Sequence, residues 1–201
     1  LKFDDLSHFS NDGSLELPST SHISIVDSYG NALSMTTTIE NAFGSRLMTR
    51  GGFLLNNELT DFSFRPKKDG SPIANSIERG KRPRSSMSPT IIKDNQNELK
   101  LILGSPGGSR IIGYVLKTII AHLDWGLDIQ KSIELPNMVN RFGVFEIEKG
   151  YQNTYLASSL KEIGFKIKIG TLNSGVYAIA VDNGILYGGA DPRREGVALG
   201  K

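Results

Sequence analysis

The sequence predicts an α+β fold, and three observations support this. β-rich runs come first along the chain, a run with helical spacing follows, and β-rich runs return towards the end. This order is typical of antiparallel sheet layers with helices packed outside them. With 201 residues and 38% apolar composition, the chain can also bury a substantial core as one globular unit.

The first half predicts two β-hairpins separated by a long surface loop. Ser28-Tyr29-Gly30-Asn31 and Asp94-Asn95-Gln96-Asn97 are turn signals between β-rich runs. Phe64 to Gly80 is rich in Pro, Gly and charge, and long loops in compact domains are often functional. The expected strands are 22–27, 32–38, 90–93 and 98–103.

The second half predicts three helices and four further strands. Apolar residues recur at spacings of three and four, which indicates a helix with one buried stripe: Ile111, Ile112, Val115, Leu116, Ile119, Ile120 and Leu123. Further helices are expected from Asp128 to Leu135, before Pro136, and from Thr154 to Ile163, before Gly164. Strands are expected at 144–148, 166–169, 176–181 and 185–188.

Composition excludes several classes of function. The chain has no cysteine, and its three histidines lack metal-ligand spacing, so neither a metal nor another cofactor is expected. The net charge of +2 is spread along the chain, which argues against nucleic acid as a partner. No apolar run reaches the ~18 residues of a membrane span, and no secretion signal is present. The chain starts with Leu1, so an upstream portion could carry such a signal.

Thr20 is a candidate nucleophile. It follows Ser19 and precedes an alternating strand. A threonine at a chain start can use its own α-amino group as the base, because that group has a pKa near 8. Thr20 would gain this amine only by cleavage of the Ser19-Thr20 bond. Taken alone, Thr20 fits a β-branched strand residue better.

Gly107 and Gly108 are candidate oxyanion donors. They lie in Gly104-Ser105-Pro106-Gly107-Gly108-Ser109-Arg110, which joins a predicted strand to the long helix. Backbone N–H groups near a helix start can stabilise an oxyanion. The segment lacks the Gly-Lys-Ser/Thr of a phosphate loop and the dinucleotide Gly-x-Gly-x-x-Gly pattern. A tight strand-to-helix turn is the alternative.

Two polar pairs are candidate substrate ligands. Ser85 and Ser86 can bind a carboxylate through hydroxyl and backbone donors, or form a polar loop before a strand. Glu58 and Asp61 can hold an ammonium, or be solvated acids or a helix cap. Near the C-terminus, 191–194 is interpreted as a turn pinned by an ion pair.

Taken in order, these segments resemble the small subunit of γ-glutamyltranspeptidases, a branch of the N-terminal nucleophile hydrolases. The resemblance covers Thr20 to about Gly200 and rests on several ordered motifs: Thr20-Ser21-His22, Gly30-Asn31-Ala32, Thr38 before Phe43-Gly44-Ser45, 55–63, 82–90, 104–110 and Asp191-Pro192-Arg193.

The resemblance implies a four-layer αββα sandwich completed by a large subunit from the same precursor, as a heterodimer. Residues 1–19 would be the end of that large subunit, and 20–201 the catalytic small subunit. The precursor would cut itself when Thr20 attacks Ser19. Thr20 would then take a γ-glutamyl group from a donor such as glutathione and pass it to water or an amine. The family also suggests a periplasmic or secreted location.

Roles follow from motif position. Thr38 would orient the Thr20 hydroxyl, and Gly107 and Gly108 would form the oxyanion hole. Ser85 and Ser86 would hold the glutamyl α-carboxylate, Glu58 and Asp61 its α-ammonium, and an arginine of the large subunit would assist. Each of these roles is implied by the resemblance.

Two departures from the family pattern bear on substrate use. Glu40 stands where many members have asparagine, and it could also face an ammonium. The 64–80 loop is short for a full lid, and an open site favours water over amine acceptors.

Two other functions stay open on the sequence. One is a related acylase that cleaves glutaryl-like amides, as β-lactam side-chain acylases do. Such an acyl group has no α-ammonium for Glu40, Glu58 and Asp61 to bind. The other is a non-catalytic or unprocessed remnant.

Overall fold

The computed structural model describes residues 8–10, 19–141, 143–150 and 155–200. Its residues divide into two units. The smaller contains the chain up to Ser19 together with Thr38–Ser85, and the larger contains Thr20–Thr37 and the chain from Ser86 onward. Thr20 and the glycine-rich segment therefore belong to the larger unit, whereas Glu58 and Asp61 belong to the smaller.

A four-stranded antiparallel sheet is central to the larger unit. The strand order is β11-β10-β6-β5. Its strands are β5 (Thr90–Lys93), β6 (Leu99–Gly104), β10 (Tyr177–Asp182) and β11 (Ile185–Ala190). All four were expected within one or two residues. Alternate residues of β6 face opposite ways, and Leu101 and Leu103 belong to the main core cluster.

Two helices cover one face of this sheet. They are α1 (Ile111–Leu123) and α2 (Ile129–Glu134), and they contact β6, β10 and β11. Asp128 caps α2 by accepting hydrogen bonds from the backbone N–H groups of Gln130 and Lys131. This cap and Pro136 are local signals at the two ends of the helix, which is why its position could be predicted correctly from the sequence.

The single buried stripe predicted for α1 is wrong in part. Ile111 and Val115 are buried, but Ile112, Leu116 and Leu123 are 44–56% exposed. The inward face also uses Tyr114, Thr118 and Ala121, so α1 is apolar on two sides. Spacing alone does not tell which apolar side a neighbouring element covers.

The other face of the sheet carries a β-hairpin. It consists of β1 (Ser21–Val26) and β2 (Ala32–Thr37), paired with Ser21 opposite Thr37. The hairpin contacts β6 and β10. It turns polar side chains towards the sheet and leaves four apolar ones 42–44% exposed: Ile23, Ile25, Leu33 and Met35.

A second sheet has three strands in the order β7-β8-β9. They are β7 (Met138–Arg141), β8 (Val144–Glu148) and β9 (Lys166–Gly170), and α3 (Tyr155–Glu162) contacts β9. The sequence missed β7, because four residues offer too short an alternation to detect. β8 and β9 are parallel, which corrects the expectation of purely antiparallel layers. The predicted start of α3, Thr154, lies outside the described residues.

The smaller unit is mostly irregular. Its described residues contain one 3-10 turn (Glu58–Asp61) and a short hairpin of β3 (Lys67–Lys68) and β4 (Ser71–Pro72). Phe62 and Ile73 are the buried apolar residues in this described part. The predicted 64–80 surface loop is thus anchored at Ile73.

The α+β class is confirmed. Within the larger unit, helices, a four-stranded sheet and a β-hairpin follow one another as layers.

Candidate active site around Thr20

Thr20 immediately precedes β1 and lies on the wall of a pocket of about 390 Å³. The pocket is formed within the larger unit by the first residues of the hairpin, Pro106, Tyr177 and the segment 194–197. Thr20 is half-buried. The sequence did not identify Tyr177 or 194–197 as neighbours of Thr20, because more than 150 residues of chain separate them.

His22 fixes the strand that carries Thr20. Its ring is buried between the hairpin and the sheet, with Nδ1 2.8 Å from Thr36 Oγ1 and Nε2 3.1 Å from Ser24 Oγ. Gly104 makes room for the ring, since a Cβ there would lie 2.3 Å from His22 Cε1. Burial lowers the pKa of His22 to about 4, so the ring is neutral at physiological pH.

Serine hydroxyls also lie between the hairpin and the four-stranded sheet. Together with His22 and Thr36 they form a layer of polar contacts, here called the polar interlayer. Ser24 Oγ donates to the Tyr177 carbonyl at 3.0 Å, and Ser34 Oγ donates to the Leu103 carbonyl at 2.9 Å. Ser34 Oγ also accepts from the Thr90 N–H at 3.0 Å. These bonds give the hairpin a defined register on the sheet, because each half-buried hydroxyl must meet its own partner.

Gly107 and Gly108 have backbone conformations suited to presenting N–H groups. Their φ angles are +140° and +59°, and no acceptor among the described residues lies in hydrogen-bond geometry with either N–H. A Cβ at Gly107 would lie 2.7 Å from Tyr114 Cε2. Pro106, immediately before them, lines the Thr20 pocket, whereas the two glycines are not lining residues.

The side chain of Ser105 holds the glycine-rich segment in place. This buried hydroxyl donates to the Pro106 carbonyl at 2.7 Å and accepts from the Gly175 N–H at 3.1 Å. Pro106 therefore has a fixed position on the pocket wall.

Glu40, Glu58 and Asp61 come together in the smaller unit. Glu40 Oε2 accepts hydrogen bonds from Thr60 Oγ1 at 3.0 Å and from Asn57 Nδ2. The pKa of Glu58 is raised, first by burial and then by Asp61 and Glu40. Three acids that repel each other in a partly buried place favour a cation.

The remaining predicted residues lie at the limits of the two units. Thr38 follows Thr37, the strand partner of Ser21, and its Oγ1 accepts from the Glu40 N–H at 3.0 Å. Ser85 is exposed and ends the smaller unit. Ser86 is half-buried, and its carbonyl accepts from Ser88 Oγ at 2.9 Å.

The predicted ion-pair turn near the C-terminus is confirmed. Asp191 is buried and accepts from Arg193 Nη1 at 3.2 Å, and Arg193 also binds Glu148 at 2.7 Å. Arg193 further donates to the carbonyls of Glu134 and Leu135 at the end of α2. The turn thereby anchors the segment that continues into the Thr20 pocket.

The described part of the chain shows no group of three side chains able to hold a metal ion. Within the same residues, no helix is long and apolar enough to cross a membrane.

Comparison with known families decides the assignment. The sequence profile described as Gamma-glutamyltranspeptidase matches residues 4–201. The chain belongs to the γ-glutamyltranspeptidase family. It is similar to the glutathione hydrolase proenzyme of Bacillus subtilis (strain 168), with 39% identity over 186 residues, and to that of Escherichia coli (strain K12), with 37% over 187 residues.

Solved γ-glutamyltranspeptidases share its fold. The enzyme of Pseudomonas nitroreducens in complex with L-DON superposes with a TM-score of 0.78 at 33% identity, covering 90% of this chain and 98% of that chain. The curated relatives are longer. The chain is 90% covered by the match to the Bacillus subtilis proenzyme but spans only 30% of its length.

Proposed function

We propose that this chain is the catalytic small subunit of a γ-glutamyl transferase and hydrolase, with Thr20 as its nucleophile. Thr20 becomes active when the Ser19-Thr20 bond is cut. The observation that carries the proposal is the position of Thr20, immediately before β1 on a pocket wall, in a member of the γ-glutamyltranspeptidase family.

Self-cleavage comes first. The Thr20 hydroxyl attacks the carbonyl carbon of Ser19, and the peptide nitrogen leaves to become the α-amino group of Thr20. Water then hydrolyses the resulting ester and releases residues 1–19 with their new carboxylate. The freed amine is a base with a pKa near 8, suited to activating its own hydroxyl.

Transfer follows through a second ester. The Thr20 hydroxyl attacks the γ-carbonyl carbon of a donor such as glutathione, its proton passes to the α-amino group and then to the leaving amine, and the C–N bond breaks. Water or an acceptor amine attacks the γ-glutamyl ester and restores the hydroxyl. Dividing the reaction around a covalent intermediate lowers each barrier.

Two further groups support these steps. Thr38 orients the Thr20 hydroxyl, and the N–H groups of Gly107 and Gly108 stabilise the oxyanion. The positive φ angles of the glycines, and the absence of an acceptor for their N–H groups among the described residues, support this role.

The γ-glutamyl group is recognised by its two charges. Glu58 and Asp61, with Glu40 beside them, bind the α-ammonium, and Ser85 and Ser86 bind the α-carboxylate. The raised pKa of Glu58 supports the ammonium site, because a bound cation relieves the repulsion among the acids. A glutaryl group lacks that cation, so the acid cluster disfavours the acylase alternative.

The partner is the large subunit encoded upstream in the same precursor, with residues 1–19 as its end. The larger unit has the exposed apolar face of the hairpin. The smaller unit has a separate set of large apolar side chains that are 62–71% exposed: Phe43, Leu47, Met48, Phe53, Leu59 and Phe64. We assign both sets of exposed apolar side chains to the interface with the large subunit. The chain spans 30% of its Bacillus subtilis relative, so the remaining length is available to cover them.

Mass spectrometry of the complete precursor tests the nucleophile. The unchanged protein should give two fragments, the second beginning at Thr20, and Thr20→Ala should stay whole. Thr20→Ser keeps a hydroxyl and should cut more slowly. If the unchanged precursor stays whole and inactive, as Thr20→Ala does, the chain is an unprocessed remnant and the proposal fails.

Substrate comparison tests the acid cluster. The processed enzyme should cleave γ-glutamyl-p-nitroanilide faster than glutaryl-p-nitroanilide, and Asp61→Asn should reduce this preference at least tenfold, since hydrogen bonds to charged groups contribute about 1.5–3 kcal/mol. Asp69→Asn, at an exposed acid of the same unit, is the matched control. Faster cleavage of the glutaryl compound would support the acylase instead.

Co-purification tests the partner surface. Ile25→Glu places a charge on the exposed hairpin face and should reduce recovery of the large subunit with the small one. Tyr29→Glu, at the 90% exposed tip of the same hairpin, is the control. Equal recovery for both variants would exclude this face as the interface.

A further inference from the structure

The half-buried ammonium of Lys117, on α1, is a cation that the proposed chemistry leaves unused. Its Nζ donates to the Ile133 carbonyl at 3.1 Å, to the Leu135 carbonyl at 2.7 Å and to Asn137 Oδ1 at 3.1 Å. An ammonium has three N–H donors and no acceptor, so each donor has one partner. All three of these partners are uncharged, so Lys117 is placed here as a hydrogen-bond donor.

A chain of hydrogen bonds runs from Lys117 to Asp191. Asn137 is fully buried, and its Nδ2 donates to Ser174 Oγ at 2.8 Å and to the Leu172 carbonyl at 3.2 Å. Ser174 is also fully buried, and its Oγ donates to Asp191 Oδ2. Each member accepts from the one before it and donates to the one after it. The chain therefore has one direction, from an ammonium to a carboxylate.

The proton on Lys117 determines this direction. A neutral amine has two N–H donors and one lone pair. The carbonyls of Ile133 and Leu135 can only accept, so they retain the two donors, and the lone pair then faces Asn137 Oδ1. Asn137 can meet a lone pair only by turning its amide, which takes Nδ2 away from Ser174. Loss of one proton from Lys117 therefore breaks the chain between Asn137 and Ser174.

Three other charged groups act on Lys117 from the elements packed against α1: Arg193, Asp191 and Glu148. With the ammonium they make two positive and two negative charges, which balance. Burial lowers the pKa of Lys117 to about 8, with Arg193 acting in the same direction and the two carboxylates against it. The proton is therefore lost within the pH range in which an enzyme can be assayed.

The hydrogen-bond chain supports the wall of the Thr20 pocket at Pro106. Ser174 directly precedes Gly175, whose N–H donates to Ser105 Oγ at 3.1 Å. Ser105 Oγ in turn donates to the Pro106 carbonyl at 2.7 Å. A Cβ at Gly175 would lie 2.7 Å from Pro106 Cγ, so the backbone at Gly175 also packs directly against this wall.

The carboxylate end of the chain holds the next part of the same backbone. Asp191 Oδ2 accepts from the Val176 N–H at 3.2 Å, and the Asp191 N–H donates to the Val176 carbonyl at 3.0 Å. Val176 leads into Tyr177, which lines the pocket. The chain from Lys117 thus holds the stretch 174–177, and this stretch supports or forms the pocket wall.

We propose that Lys117 is a positioning residue for the reaction at Thr20. Its charged ammonium holds the stretch 174–177 through the hydrogen-bond chain, and this stretch holds Pro106 and the two glycines that follow it. The inference rests on the proposed function of Thr20. Lys117 touches no substrate, so it acts through the position of the oxyanion donors. Its loss should lower kcat and leave KM nearly unchanged, because those donors act on the transition state.

The pH dependence of a kcat ratio tests this role. At pH 6.5, Lys117→Met should lower kcat for γ-glutamyl-p-nitroanilide about tenfold, less than the roughly 10²-fold or more lost when an oxyanion donor is removed outright, with KM within about twofold. At pH 10 the unchanged enzyme has also lost its ammonium, so the two kcat values should agree within about twofold. The Thr20 amine titrates in both proteins and cancels from the ratio. Lys131→Met, at an exposed lysine of α2, is the matched control.

Two further variants separate the chain from the packing of the lysine stem. Lys117→Arg keeps the charge throughout the range and should retain its kcat at pH 10. Ser174→Ala breaks the chain without touching Lys117 and should show the same pH-dependent deficit as Lys117→Met. The combined variant should lose no more than either single variant, because both break one chain. Ser132→Ala, at a buried serine whose hydroxyl donates to the Asp128 carbonyl at 2.8 Å, is the control for Ser174→Ala.

The unchanged enzyme provides a measurement that does not depend on the folding of any variant. Its kcat should rise as the Thr20 amine loses a proton, pass a maximum near pH 8 and fall about twofold to threefold by pH 10 as Lys117 loses its own. Since kcat reports groups of the enzyme–substrate complex, ionisation of the free substrate does not enter. A kcat that stays at its maximum up to pH 10 would overturn the role of Lys117.

The outcomes distinguish this role from the proposed function. If the anilide is cleaved but the Lys117→Met deficit is absent, is equal at pH 6.5 and pH 10, or appears in KM alone, Thr20 keeps its function and the positioning role is wrong. If the processed, unchanged enzyme cleaves neither the anilide nor glutathione, the proposed function is wrong and the positioning role is wrong with it.

Discussion

The buried His22 makes the stability of this protein sensitive to mild acid. Its pKa is lowered from 6.5 to about 4 by burial, so between these values the unfolded chain binds a proton that the folded protein does not. The free energy of unfolding therefore rises with pH across this window and falls as the pH is lowered through it.

The magnitude follows from the two pKa values. One pKa unit corresponds to ~1.36 kcal/mol, so the full loss below pH 4 is about 3 kcal/mol. Between pH 7.5 and pH 5 the same two values give a loss of about 2 kcal/mol. His22→Asn keeps hydrogen-bonding groups in the interlayer but cannot titrate, and it should lack this part of the pH dependence.

Urea unfolding at pH 7.5 and pH 5 measures the effect. The Thr20→Ala precursor is the suitable background, because it should remain one covalent chain. The drop in unfolding free energy should be about 2 kcal/mol larger when His22 is present than in the His22→Asn variant. His122→Asn controls for loss of a histidine outside the interlayer. If the background protein and its His22→Asn variant lose equal stability, His22 is not buried in the neutral form and the reasoning is refuted.

Three further predictions concern the same unit. Gly104→Ala should lower the unfolding free energy by about 1–3 kcal/mol, because its methyl group would overlap the His22 ring; chemical denaturation showing no loss would contradict that packing. Burial, and then Arg193, lowers the pKa of Lys117 from 10.5 to about 8. The free energy of unfolding should therefore rise by up to about 3 kcal/mol between pH 8 and pH 10.5. Lys117→Met should flatten this rise when thermal unfolding is measured across the same pH range. Arg193→Ala leaves Asp191 buried without its cation and should lower the free energy of unfolding by about 3–5 kcal/mol. A midpoint of denaturation near that of the unchanged protein would show that the ion pair is dispensable.

Most elements could be predicted because their signals are local. Asp128 and Pro136 limit α2 through a cap and a steric clash, and both effects act within a few residues of the chain. The turn 28–31 likewise determines the first hairpin. β7 was missed because its four residues contain too little pattern, and the parallel pairing of β8 with β9 depends on a connection through α3 that strand patterns do not show.

The candidate site was only partly predictable for the same reason. Ordered motifs indicated Thr20, Gly107 and Gly108, since each motif is a short stretch of sequence. Tyr177 and Arg194 reach the Thr20 pocket from distant strands and turns, and no local pattern connects them with it.

The sequence by itself determined that Thr20 precedes an alternating strand with polar and apolar faces. Only the tertiary structure decided which face is covered. A period of two distinguishes two faces but does not identify their neighbours. Here His22 and its hydroxyl partners face the sheet, because Gly104 leaves space for the ring and backbone groups satisfy the hydroxyls, while Ile23 and Ile25 stay exposed. Burial depends on what packs against a strand, and that is a property of the whole fold.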